Sequence, residues 1–151
     1  MSALPSITRN HKHCRFKLTA IDSVILVLPE GIWSRSCLDD YMRQIVLLRQ
    51  QHVPGEFGCL VSTQKWELSP PDVLEKLTGF NEFAVSQGMV AQWLVGDSAR
   101  LAHTRITEQF LKRAAPFLQI SSELSDATDA FERQGLLNNK EGLTGAFSPH
   151  R

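Results

Sequence analysis

The stretch FKLTAIDSVILVL, residues 16–28, decides the fold. Phe16, Leu18 and Ala20 are apolar at period two, Asp22 and Ser23 offer a turn, and VILVL follows as a continuous apolar run. A run without alternation is the signature of a strand buried on both faces, and such strands belong to parallel sheets covered by helices. The stretch therefore predicts a hairpin whose second strand enters an α/β sheet.

Beyond it, the pattern changes period. Leu38, Tyr41, Met42, Ile45 and Leu48 recur three or four apart after Ser36, with Asp39 and Asp40 in the first turn and Arg49 near the end, as the helix dipole favours. His52-Val53-Pro54-Gly55 breaks this helix, and FGCLV reads as the next strand. Ser69-Pro70-Pro71-Asp72 then reads as a helix start. The serine oxygen can accept a bond from the free amides, Pro70 fits N1, and Asp72 takes the capping-box position. Val73, Leu74, Leu77, Phe80 and Ala84 give the second helix an inner stripe, and Gly88 is a left-handed terminator. MVAQWLV, residues 89–95, is a strand. Gly96-Asp97-Ser98 turns into a third helix with Ala102, Ile106, Phe110, Ala114 and Phe117 facing inward. A short fifth strand over 117–121 precedes a last helix capped by Ser125 and ended by Gly135.

The order ββαβαβαβα predicts one α/β domain over residues 14–135, with flexible tails at 1–13 and 136–151. Parallel neighbours need crossovers, about 98% of them right-handed, which leaves few topologies. If the helices gather on one face of the sheet, the other must be covered by the tails, by a helix placed out of order or by a second copy of the chain; the tails are too polar to do it alone, so at least a weak homodimer is expected.

Composition bounds the function. With 151 residues and 42% hydrophobic content, the chain forms a single core. Sixteen basic and sixteen acidic side chains cancel, which removes the field that drives non-specific binding to nucleic acid or anionic membranes. The longest apolar run is too short to span a bilayer and the N-terminus lacks a signal-peptide pattern, so a soluble, cytoplasmic protein is expected. Cys14, Cys37 and Cys59 are odd in number and widely spaced, without a CxxC pair, so free thiols are expected.

Several phrases carry a family resemblance: VILVLPEGIW closing the hairpin, CLVSTQKW feeding a helix, VAQWLVGDSARLAHTRITEQF, and QISSELSDATDAFERQG at the close. Over residues 16–135 the chain resembles the STAS-like (SpoIIAA-like) family, related to the bacterial anti-sigma-factor antagonists. The resemblance implies a β-α superhelix and a regulatory or binding module rather than an enzyme, acting through a protein partner. In regulatory antagonists of this fold an Asp-Ser pair followed by Gly starts the second helix, and that serine is phosphorylated. Here the place reads Leu68-Ser69-Pro70-Pro71. The phosphoacceptor role can be carried only to Ser69, which lacks the preceding acid and the following glycine. Helix capping is the simpler reading.

Trp33 and Trp66 each follow a strand, at the carboxyl edge where open α/β sheets bind ligands, and Lys65 and Arg100 lie near the same loops. Partly buried packing is the plainer role for each Trp. Gly96-Asp97-Ser98-Ala99-Arg100 has one glycine, too few for a phosphate loop. Cys59 lies inside an apolar strand and reads as an inert thiol. His11, His13 and Cys14 are close in sequence but lack a fourth ligand, so no metal is assigned, and no cofactor motif is present. His103 reads as a solvated helix residue. Two functions follow. One is a non-enzymatic module that meets a protein partner through an exposed surface at Lys65, Trp66 and Ser69. The other is a carrier or sensor of a small apolar or lipid-like ligand held by Trp33, Trp66, Phe80 and Phe83.

Overall fold

The structure is a computed structural model and describes residues 3–97, 99 and 101–148. The hairpin pairs β2 (Cys14–Ile21) with β3 (Val24–Gly31) in antiparallel register from Cys14 opposite Gly31 to Ile21 opposite Val24. Asp22 takes a positive φ of 53° at the turn, a conformation that Asp tolerates better than most side chains. As its unbroken apolar run requires, β3 is buried on both faces through Pro29.

The chain continues through α1 (Arg35–His52), β4 (Phe57–Ser62), the two-residue β5 (Lys65–Trp66), α2 (Pro71–Ser86), β6 (Met89–Val95), α3 (Leu101–Leu111), β7 (Gln119–Ser121) and α4 (Leu124–Arg133). Strands β3, β4, β6 and β7 are parallel neighbours in that order. Among the described residues the strands form one seven-stranded sheet, in which β5 pairs with the end of β3. This is the expected α/β architecture, a hairpin followed by a β-α superhelix with a mostly parallel sheet.

The ends differ from expectation. Residues 6–10, assigned to a flexible tail, form β1 (Ser6–Asn10), an antiparallel edge strand on β2. Its residues are mostly exposed and polar, so it shows no apolar period, and backbone pairing alone declares it. Residues 140–147, also assigned to a tail, form α5 (Lys140–Phe147), whose Leu143 is fully buried. The asparagines that read as loop do capping work here. Asn139 accepts a bond from Gly142 N at 2.9 Å, and Asp22 accepts from the amides of Asn138 and Asn139 at 2.7 Å each.

Two apolar clusters flank the sheet. One joins it to α1, α2 and the residues after α3. The other joins it to α4, α5 and the link between them, around Phe131, Leu136, Leu137 and Leu143. The uncovered face that called for a homodimer is thus covered from within the chain.

Three local expectations are corrected. Cys14 and Cys37 are bonded, Sγ to Sγ 2.05 Å and Cα to Cα 6.8 Å, rather than free; Cys59 alone is a free, buried thiol. The bond is a product of tertiary approach. Gly31, opposite Cys14, takes φ +81° where a Cβ would overlap the His13 carbonyl oxygen, and the chain bends there to lay α1 back over β2. Disulfides persist in oxidising compartments and are rare in reducing ones, so the pairing counts against the expected cytoplasmic location. Helix α3 is rotated from its expected phase: Thr104, Thr107, Glu108 and Leu111 are buried, while Ala102 and Ile106 face outward. It lies on the polar link after β4, where the Thr104 hydroxyl meets that of Thr63 at 3.3 Å, and that contact outranks the apolar stripe. Finally, the N-cap of α2 is Pro70, with no side-chain cap bond, and α4 begins after Glu123, again without one, so neither Ser69 nor Ser125 caps a helix. No helix among the described residues is long and apolar enough to cross a membrane.

Candidate functional site

Between the sheet and the α1–α2 pair lies an apolar cavity of about 100 Å³. Its floor is Ile25 and Val27 of β3, Cys59 and Val61 of β4, and Met89 of β6. Its roof is Tyr41 and Ile45 of α1 with Leu77 and Phe80 of α2. Trp33 and Trp66 close the end at the carboxyl edge of β3, and Arg49, Phe57 and Gln87 surround the opposite end.

Local sequence explains how the two indoles meet. Trp33 follows the Gly31 bend and is 1% exposed. After Ser62 the chain makes a tight turn and re-enters the sheet as β5, where Trp66 pairs with Gly31 and the Glu67 amide donates to the Gly31 carbonyl at 3.1 Å. The indole centroids are then 5.5 Å apart, and Tyr41 lies 5.0 Å from Trp33 and 5.8 Å from Phe80. Separations of this size and tilted geometry suit aromatic quadrupoles.

The polar groups of the cavity are unevenly satisfied. Asn81 and Gln92 exchange two amide bonds of 2.8 Å each, and Asn81 also donates to the Leu111 carbonyl at 3.2 Å. The indole N–H groups of Trp33 and Trp66 and the Nε–H of Arg49 are buried without a partner. An unpaired buried donor costs on the order of 1–3 kcal/mol, so three among the residues lining one cavity single it out among the described residues. Burial, and secondarily the neighbouring Cys59, pushes the Tyr41 phenol well up, while burial pushes the Cys59 thiol up to about 12. Both remain neutral, and Arg49 is the only charged residue among those lining the cavity. A neutral buried thiol is a poor nucleophile.

The expected site residues are only partly brought together. Trp33, Trp66, Phe80 and Phe83 all line the cavity. Lys65 is exposed and, by strand alternation, faces away from Trp66, toward a shallow depression with Glu30 and Gln64. Trp66 at 7% and Ser69 at 4% exposure do not form an exposed surface with it. The Ser69 hydroxyl is buried, unpartnered and outside the cavity lining. Arg100 and Ser98 lie outside the described residues. The Gly96 amide, part of the suspected phosphate turn, donates to the Ser121 carbonyl at 3.2 Å. His103 is exposed. His11 is engaged with Asp40 at 2.8 Å and Cys14 with Cys37, which separates the three residues weighed as metal ligands.

Sequence reasoning missed Tyr41, Arg49 and the Asn81–Gln92 pair. Tyr41 was legible as an inner-stripe residue. Arg49 read as a dipole-compensating cation at a helix end, and the amide pair joins residues whose proximity only the β6 register reveals.

No protein-family model matches the sequence, and no curated protein matches it. Among solved structures, the chain is similar to an anti-sigma factor antagonist from Mycobacterium paratuberculosis, at 14% identity and a TM-score of 0.47, over 86% of this chain and 95% of that one.

Proposed function

We propose that the protein is a non-enzymatic binding module that holds a small apolar ligand in the cavity between the sheet and α1–α2. The observation that carries this reading is the pair of buried, unpartnered indole N–H groups on a mostly apolar lining. A void kept only by imperfect packing would favour aliphatic walls, whereas Trp33 and Trp66 each bring a donor that a ligand oxygen can satisfy. Volume narrows the class. A dry cavity of ~150 Å³ accommodates benzene; at about 100 Å³ this one is smaller, so a single small ring or short chain is its upper bound and a two-chain lipid does not fit.

A protein partner remains compatible with the same site. Leu47 and Phe83 are 45% and 46% exposed and border a surface groove with Met42 and Val46. Val46, Phe80 and Phe83 line both groove and cavity, so occupancy would be felt on the outer surface of α1–α2, where a regulatory partner could read it.

The test is titration with benzene, 1-hexanol and hexanoate, followed by tryptophan emission and the thermal midpoint. Saturable changes in emission with a rising midpoint are expected, since a ligand that binds only the folded state stabilises it. Absence of any response to all three probes overturns the reading.

A further inference from the structure

Resting on the cavity as a ligand site, we infer that its ligand is a small monocarboxylic acid, with the carboxylate at Arg49 and the apolar body toward Trp33 and Trp66. Three observations converge. The unpartnered atom at the Arg49 end of the lining, its Nε–H, is a donor, so a ligand group that reaches it must bring an acceptor. The buried side-chain amides of the lining, Asn81 and Gln92, are spent on each other, and the other two, Gln50 and Gln87, are exposed residues at its rim. The single formal charge in the lining is positive, and the two other groups able to ionise there, Tyr41 and Cys59, are held neutral.

Arg49 is placed to receive such a group. Its guanidinium stacks 4.8 Å from the Phe57 ring centroid. One terminal nitrogen, Nη2, donates to the Gly55 carbonyl at 3.0 Å and to the Gln87 carbonyl. Those bonds fix the plane of the guanidinium while leaving Nε–H unused. No ion pair to Arg49 occurs among the described residues. With both hydrogens of Nη2 spent on carbonyls, a carboxylate oxygen is received by Nε–H alone, in a charge-assisted bond roughly twice as strong as a neutral one. The opening also suits an amphiphile. Exposed Phe83 and Leu47 flank the groove outside, so the apolar body meets apolar surface before it meets the cavity. An amine would instead face like charge at Arg49, and a neutral alcohol would leave that charge uncompensated.

The experiment compares hexanoate, 1-hexanol and hexylamine at neutral pH by tryptophan emission and calorimetry on the whole chain. Hexanoate is expected to bind at least tenfold more tightly than 1-hexanol, and hexylamine no more tightly than the alcohol. Arg49→Gln should collapse the difference between acid and alcohol, while Arg49→Lys, which keeps the charge but loses the Nε–H donor, should retain part of it. If the alcohol binds as tightly as the acid to the wild-type protein, the carboxylate assignment is wrong and the apolar pocket stands. If no probe binds, both fall. The wild-type comparison decides even where Arg49→Gln lowers the yield of folded protein.

Discussion

The two faces of the sheet are built on different principles. Under α4 and α5, side chains fill the space: a Cβ placed on Gly58 would be 2.6 Å from the Phe131 ring and 3.3 Å from Leu136. Under α1 and α2, large rings arch over the sheet and leave a cavity with unsatisfied donors. The filled face is held by packing. The hollow face gives up part of that packing, and it carries tethers the other lacks: the Cys14–Cys37 bond from β2 to α1, and the buried Asp40 of α1, which accepts from Arg9 at 2.9 Å and His11 at 2.8 Å in and beside β1. A loosely packed face is held together in part by such fastenings at its edge.

The sharpest way to break this comparison is to cut the disulfide. A cross-link of sequence separation 23 restricts the unfolded chain by about 3 kcal/mol in the loop-entropy picture. Urea unfolding with and without a thiol reductant, or of Cys14→Ser, should show a loss of that order. Hydrogen exchange should quicken in α1 far more than in α4. Equal quickening in both helices would mean that the tether serves the whole domain and not the hollow face.

The second tether is sensitive to acid. Burial raises the Asp40 carboxyl, but bonds from Arg9, His11 and Gln44 outweigh it and lower the pKa from 3.8 to about 2. Arg43 adds a weaker contact at 3.8 Å. Because the folded value lies below the unfolded one, this stabilisation is fully present above pH ~4 and is lost as pH falls through about 2; the shift corresponds to roughly 2 kcal/mol, less for the half-exposed position of Arg9. Asp40→Asn should therefore flatten the acid limb of the stability curve between pH 4 and 2. An unchanged limb would show that other carboxylates carry the acid sensitivity.

How much of this was legible beforehand follows from where the information resides. The run VILVL and the helical stripes of α1 and α2 declared the sheet and its layers, because burial on two faces or one leaves a periodic trace. Edge strand β1 and helix α5 left none: the first is held by backbone bonds, and the second is short and capped by asparagines that read as loop. At the cavity, Trp33, Trp66, Phe80 and Phe83 were legible as neighbouring aromatic residues because each follows a strand or lies on α2. The grouping of Trp66 with Lys65 and Ser69 failed because adjacent strand residues face opposite ways. Cys14 with Cys37 and Arg49 over Phe57 are tertiary pairings, and no spacing rule announces them.

The smallest effects separate the faces most directly, because the same kind of change is made on each. Gly58→Ala adds one carbon where the Phe131 ring already stands, and Phe131 is fully buried with no room to withdraw. Overpacking of this kind costs about 1 kcal/mol or more. Val61→Ile adds one carbon to the cavity floor, where it gains up to ~0.8 kcal/mol of burial and meets less resistance. Stability should thus fall in the first variant and hold or rise in the second, as urea midpoints will show. Val61→Ile should also weaken 1-hexanol binding, because the added carbon takes space the ligand uses, whereas Gly58→Ala, on the opposite face, should leave binding to the remaining folded protein unchanged. If Val61→Ile is as destabilising as Gly58→Ala, the space under α1 and α2 is not available to an added methyl group, and the contrast between the two faces fails at its first premise.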